Sequence, residues 1–167
     1  MKKIRPLKPI AATLLVGALA ASYMANKQAS NEYGLYEPNP IYTPGVVDPR
    51  LTDKVLRSKD FTTKAYRNVP ASVKKSVYQE YNMSPDTTPC PCEVDHFISL
   101  ELGGSNDIKN LWPQPYSGKW NAHDKDKLED ELGRLVKNGT LSGELARKEI
   151  TDGWVASYIK RFGDKYK

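Results

Sequence analysis

Cysteine is scarce. Only Cys90 and Cys92 occur in 167 residues, too few for a disulfide-built scaffold or a four-cysteine zinc site. Histidine is as scarce, with His96 and His123 alone, so imidazole chemistry is confined to two positions. No apolar run exceeds the 16 residues from Ile10 to Ala25, which excludes a polytopic membrane protein. Internal repeats and long low-complexity tracts are missing, and acidic residues are absent from the first 25 positions. What is present is a 39% hydrophobic fraction, too high for a wholly disordered chain, at a length that suits one domain.

The acid-free start explains the charge. Lys2, Lys3, Arg5 and Lys8 precede the apolar run, and small residues follow it, as in Ala18-Leu19-Ala20 or Ala20-Ala21-Ser22. This is the layout of a secretory signal, and the run is short of the roughly 20 residues that span a bilayer. Residues 1–25 are therefore expected to be a signal peptide, or a membrane anchor if uncleaved through residues 10–25. The expected location is periplasmic or secreted, with no stable membrane association once the leader is removed. The full chain carries a net charge of +5, but residues 26–167 hold 21 basic and 20 acidic residues, a net of +1. What remains is a local contrast. A basic stretch from Asp48 to Glu80, with Arg67 in it, precedes an acidic one from Asp86 to Asn110.

Residues 26–40 read as a polar, proline-bearing linker, and residues 41–167 as the folded domain. Pro70 opens a helical pattern in which Val73, Val77 and Tyr81 recur every four residues, ending before Ser84-Pro85-Asp86. Cys92–Leu102 reads as strand, Gly103–Asp107 as loop, and Asn110-Leu111-Trp112 as a return strand closed by Pro113 and Pro115. A helix begins near Lys119 with an apolar stripe of Leu128, Leu132, Leu135 and Val136, and Asn138-Gly139 ends it. Leu141–Ile150 reads as another helix. Trp154, Val155, Tyr158, Ile159 and Phe162 mark the buried face of a last one.

The chemistry gathers in one string, DHFISLELGGSNDIKNLWPQP, followed by WNAHDKDKLEDEL. Asp95 and His96 are adjacent, Asn110 lies fourteen positions after His96, and His123 thirteen after Asn110. With TPGVVDP and FTTKAYRNVP upstream, this string resembles the HNH endonuclease family, in an exported bacterial-type subgroup. The resemblance covers roughly residues 41–160. It implies an α+β fold whose ββα-metal core is a β-hairpin packed on a helix around one divalent cation, here with additional flanking helices.

It also implies roles. His96 is expected as the general base, because a neutral imidazole titrating near pH 6.5 can take a proton from water. Asp95 is expected as a hard metal ligand, and Asn110 as the residue that fixes the His96 segment. His123 is expected as a second ligand on the helix, with Asn121 as the alternative, because the PQPYSGKW insertion separates His123 from Asn110 by more than is common in the family. Mg²⁺ is the default cation, with Mn²⁺, Ca²⁺ and Zn²⁺ open. Arg67, Lys125 and Lys127 are candidates to contact substrate phosphate, and Glu101 reads as a solvated loop acid, with assistance to the metal as its alternative. The expected partner is nucleic acid, DNA before RNA.

Adjacent residues on an ideal strand point to opposite faces, so use of Asp95 and His96 together calls for a bulge, a twist or a site on the strand edge. Cys90 and Cys92 leave an internal bridge, free thiols and an intermolecular bridge all open. Two other classes fit the same residues: a nucleic-acid-binding module without turnover, and a structural or interaction protein of the cell envelope.

Overall fold

The computed structural model describes residues 36–83 and 91–167. The leader, the linker up to Leu35, and the segment from Ser84 to Cys90 lie outside the described residues. The compact unit runs from Tyr36 to Lys167, so the last five residues assigned to the linker belong to the domain. Among the described residues, no helix is long and apolar enough to cross a membrane.

The architecture is α+β: one two-stranded antiparallel hairpin packed against helices, six helices in all among the described residues. Short helices α1 (Asp53–Leu56) and α2 (Thr63–Tyr66) lead to α3 (Ala71–Glu80), which has Pro70 at its N-cap and buries Val77. Strand β1 (Cys92–His96) pairs with β2 (Leu111–Pro115). Between them lie two 3₁₀ turns, Leu100–Leu102 and Ile108–Asn110. Cys92, at the start of β1, is disulfide-bonded.

The hairpin corrects two expectations. β1 stops at His96 instead of running to Leu102, and Pro113 and Pro115 lie inside β2 instead of closing it. The register explains why the prolines are tolerated. Tyr116 N–H donates to Pro91 O and Phe97 N–H donates to Asn110 O, so the bonded pairs alternate around Pro113 and Pro115. Both prolines thus sit where a strand residue would turn its N–H away from its partner, and the missing donor costs no ladder bond.

Three helices complete the fold: α4 (Ala122–Lys137), α5 (Gly143–Thr151) and α6 (Trp154–Phe162). α4 starts three residues later than expected because Asn121 caps it. The Asn121 side chain accepts from His123 N–H, and Asp124 reaches back to Asn121 N–H in a capping box. Leu128, Leu132 and Val136 of α4, Ile150 of α5, and Trp154 and Val155 of α6 are all fully buried. Each is worth about 1.5–3 kcal/mol of apolar burial. Phe162, expected on the buried face of α6, is 37% exposed, with Lys127 Nζ 4.2 Å above its ring.

An N-terminal strap ties these layers together. Tyr36 O accepts from Trp154 Nε1 at 2.8 Å, and Thr43 Oγ1 donates to Leu111 O at 2.8 Å. Val47 bridges Gly104. Glu37 is half-buried in this strap, its carboxylate accepting from Val155 N–H at 3.4 Å. Burial raises its pKa to about 8, against the smaller opposing pull of the Val155 amide and of Lys125. The sign follows. Below pH 4.5 Glu37 is protonated in both states and costs nothing. Between pH 4.5 and 8 the unfolded chain releases the proton while the folded chain keeps it, so stability falls as pH rises through that window. The expected loss from this group is on the order of 5 kcal/mol. Denaturation midpoints at pH 5 and 8.5 should therefore diverge more in the wild type than in Glu37→Gln, and parallel pH profiles would refute this.

Candidate functional site

The end of β1 opens into a cleft of about 280 Å³. Thr63 and Arg67 line it from α2 and the residues after it, Asp95 and His96 from β1, Ser99 and Glu101 from the first 3₁₀ turn, and Asp126, Glu129 and Asp130 from α4. Asp95 and His96 share this cleft without a bulge, since the β1–β2 register is regular from Cys92 opposite Pro115 to His96 opposite Leu111. Their opposed directions are reconciled because His96 is the last strand residue and the cleft wraps the strand end. Asp95 points to α4 and His96 to the segment after α2.

His96 is 3% exposed, and its Nε2 lies 3.1 Å from Asn106 Oδ1. Asn106 is itself fixed: its Nδ2 donates to Tyr66 O at 2.8 Å and its Oδ1 accepts from Asn68 N–H at 3.2 Å. The oxygen must therefore face the ring, and the network assigns the proton to Nε2 and the lone pair to Nδ1. Burial lowers the His96 pKa, outweighing Asn106 and Asp95, which favour the charged form. The imidazole is thus held neutral with Nδ1 as its basic atom. Asn106 escaped the sequence reading because SND after two glycines looks like ordinary turn chemistry.

Asn110 has a different task from Asn106. Its side chain copies a backbone strand: Oδ1 accepts from Ile98 N–H at 3.0 Å, and Nδ2 donates to Ile98 O at 2.9 Å and Ser105 O at 2.8 Å. It is fully buried and fastens the loop that leaves His96. Gly104 completes the arrangement. A Cβ there would come within 1.7 Å of Ile98 O and 2.9 Å of Asn110 Nδ2, so only glycine admits the approach.

Lys125, a candidate phosphate contact in the sequence, is instead fully buried. Its Nζ donates to Asp95 Oδ2 at 2.8 Å, His96 O at 2.7 Å and Glu129 Oε1 at 2.8 Å. Burial alone would lower its pKa, but Asp95 and Glu129 hold it protonated. Burial would likewise raise Asp95, yet the charge and hydrogen bond of Lys125 leave it below the usual carboxylate value. Glu129 goes the other way: burial outweighs the pull of an ammonium it shares with Asp95, and its pKa rises. Lys125 thus acts as a fixed cation that sets Asp95 and the end of β1 against α4.

His123 is exposed on the first turn of α4, 6.3 Å ring to ring from Tyr116, and is not among the residues lining the cleft. Asn121 is committed to the cap, its Nδ2 donating to Gly118 O at 2.9 Å. Arg67 does line the cleft and is exposed, and its guanidinium has no hydrogen-bond or ion-pair partner among the described residues. Glu101 is a half-buried wall of the cleft and not a solvated loop acid. Burial first, and Asp130 second, raise its pKa. Burial and Asp95 do the same to Asp126.

Among the described residues, no three of the His, Cys, Asp and Glu side chains converge as a self-sufficient metal cage. The donor chemistry nonetheless suits one kind of cation. Asp95, Glu101, Asp126, Glu129 and Asp130 line the cleft together with the exposed Arg67 guanidinium, and the buried Lys125 ammonium already pairs Asp95 and Glu129. Mg²⁺ binds through one or two carboxylates and fills its remaining positions with water and phosphate oxygens. Such a site fits Asp95, whereas an imidazole-rich site does not, because His96 alone of the two histidines lines the cleft. Compared with models of protein families, with curated proteins and with solved structures, the chain matches none.

Proposed function

We propose that this protein is a metal-dependent endonuclease of the HNH type, with the hairpin and α4 as its ββα-metal core. It hydrolyses phosphodiester bonds in DNA, with RNA as a further substrate. The observation that carries the reading is the neutral His96, oriented by Asn106, beside Asp95 and an unpaired Arg67 in one cleft. His96 Nδ1 takes a proton from the attacking water. Arg67 holds a phosphate oxygen through its planar fork. Asn110 keeps the His96 loop from shifting. Asp95 is the residue that would hold the cation, which, when bound, supplies charge neutralisation at the phosphate and the leaving oxygen.

The electrostatics support metal dependence independently of the motif. A phosphodiester entering beside Asp95, Asp126 and Asp130 meets like charge, which a divalent cation entering with it neutralises. Purified protein should therefore nick supercoiled plasmid in Mg²⁺ or Mn²⁺ and lose that activity in excess chelator, recovering it when the cation is restored. DNA binding without nicking under any divalent cation would favour the non-catalytic binding module instead. The absence of both would leave the envelope-protein class.

A further inference from the structure

α4 carries a glycine in its interior, Gly133, where alanine has the higher helix propensity. The reason lies in the cleft. A Cβ at Gly133 would meet Glu101 Oε2 at 2.6 Å, Glu101 Cβ at 3.4 Å and Glu101 Cδ at 3.6 Å. The helix omits a side chain where the Glu101 side chain lies against it. For all this accommodation, Glu101 makes no hydrogen bond and no ion pair among the described residues. A half-buried carboxyl group is thus positioned against α4 and left without a partner.

His96 and Glu101 enter the cleft from different walls. His96 is tethered through Asn106 to the Tyr66–Asn68 side, whereas Glu101 leans on α4. We propose that Glu101 is a catalytic residue, the general acid that protonates the sugar oxygen leaving phosphorus. This rests on the nuclease reading above and adds to it the fate of the second proton. Water oxygen forms the new bond to phosphorus as His96 accepts its proton. The bond from phosphorus to the bridging oxygen breaks, and that oxygen leaves as an alcohol with the proton of Glu101. Solvent then returns a proton to Glu101 and removes one from His96.

The groups facing Glu101 suit the role. Asp126, Asp130 and Lys137 act on it from α4, and Arg67 from the segment after α2. Burial and Asp130 outweigh the two cations and favour the protonated acid. A group that must give up a proton late in the reaction gains from such surroundings.

The test uses the full protein and two duplex substrates, one unmodified and one with a single bridging oxygen replaced by sulfur at the leaving position. A thiolate leaves without a proton. Mn²⁺ is assayed beside Mg²⁺, since sulfur is a poor ligand for Mg²⁺. Glu101→Gln should cleave the oxygen ester about 100-fold more slowly than wild type, yet cleave the sulfur ester within about threefold of it. Gly133→Ala, which displaces the carboxyl while improving the helix, should show the same selective loss with an unchanged or higher melting temperature. Equal losses on both esters would overturn the acid role. A wild-type protein that cleaves neither ester with either cation would overturn the nuclease reading itself.

Discussion

Lys125→Met should destabilise the fold by about 3–5 kcal/mol, read from the midpoint of denaturant unfolding. The side chains are similar in length, so little of the loss is packing. The loss comes from Asp95 and Glu129, which would remain buried at the α4–β1 contact without their shared cation. His96 O would lose its donor as well, which frees the end of the strand. Changing both ends discriminates this from simple cavity formation. In Lys125→Met with Glu129→Leu, one stranded buried carboxyl group disappears with its partner, and part of the loss should return. A single variant within about 0.5 kcal/mol of wild type would show that the ammonium is not the tie between helix and hairpin.

His96→Ala should reduce kcat by about 10²–10⁴-fold, with KM changed far less, because the imidazole acts on water and not on substrate binding. His96 is buried against Asn106, so the variant leaves a cavity that added imidazole can enter. Partial rescue by imidazole, rising with the fraction of neutral base, separates a chemical role from a structural one. Unchanged turnover in His96→Ala would remove the base assignment and with it the order of steps given above.

Much of the fold could be read from spacing. Pro70 with Val73 and Val77 placed α3, and the leucine stripe placed α4, because both patterns are local. The prolines of β2 misled because proline is punctuation in most strands. Only the alternation of bonded pairs, a property of two strands together, shows that these two cost nothing. Asp95, His96 and Asn110 could be read as a motif, and Asn110 as the residue that fixes the His96 segment, but Asn106 could not, since Asn106 and Asn110 differ only in which groups surround them.

The two residues expected on α4, His123 and Lys125, lie where they do for one reason, and the sequence contained the signal. Carrying the Leu128–Leu132 stripe back one turn puts Lys125 on the buried face and leaves His123 off it. A lysine there had to find carboxylates, and Glu129 stands four residues on. The acids of the cleft, Asp126, Glu129 and Asp130, recur at helical spacing as well. Their place in the cleft is not legible, because a sequence does not show which wall a charged stripe will meet.

The bond from Trp154 to Tyr36 O joins residues 118 apart, and the strap that contains Tyr36 also braces Gly104 and Leu111. Such long-range closure makes assembly a late event in the life of the chain. While the polypeptide is still emerging, β1 and β2 can pair, but α4 has not yet brought the far wall and α6 has not locked the strap. A cleft built this way has both its walls only once α4 has followed the hairpin, and its strap is locked only when α6 arrives.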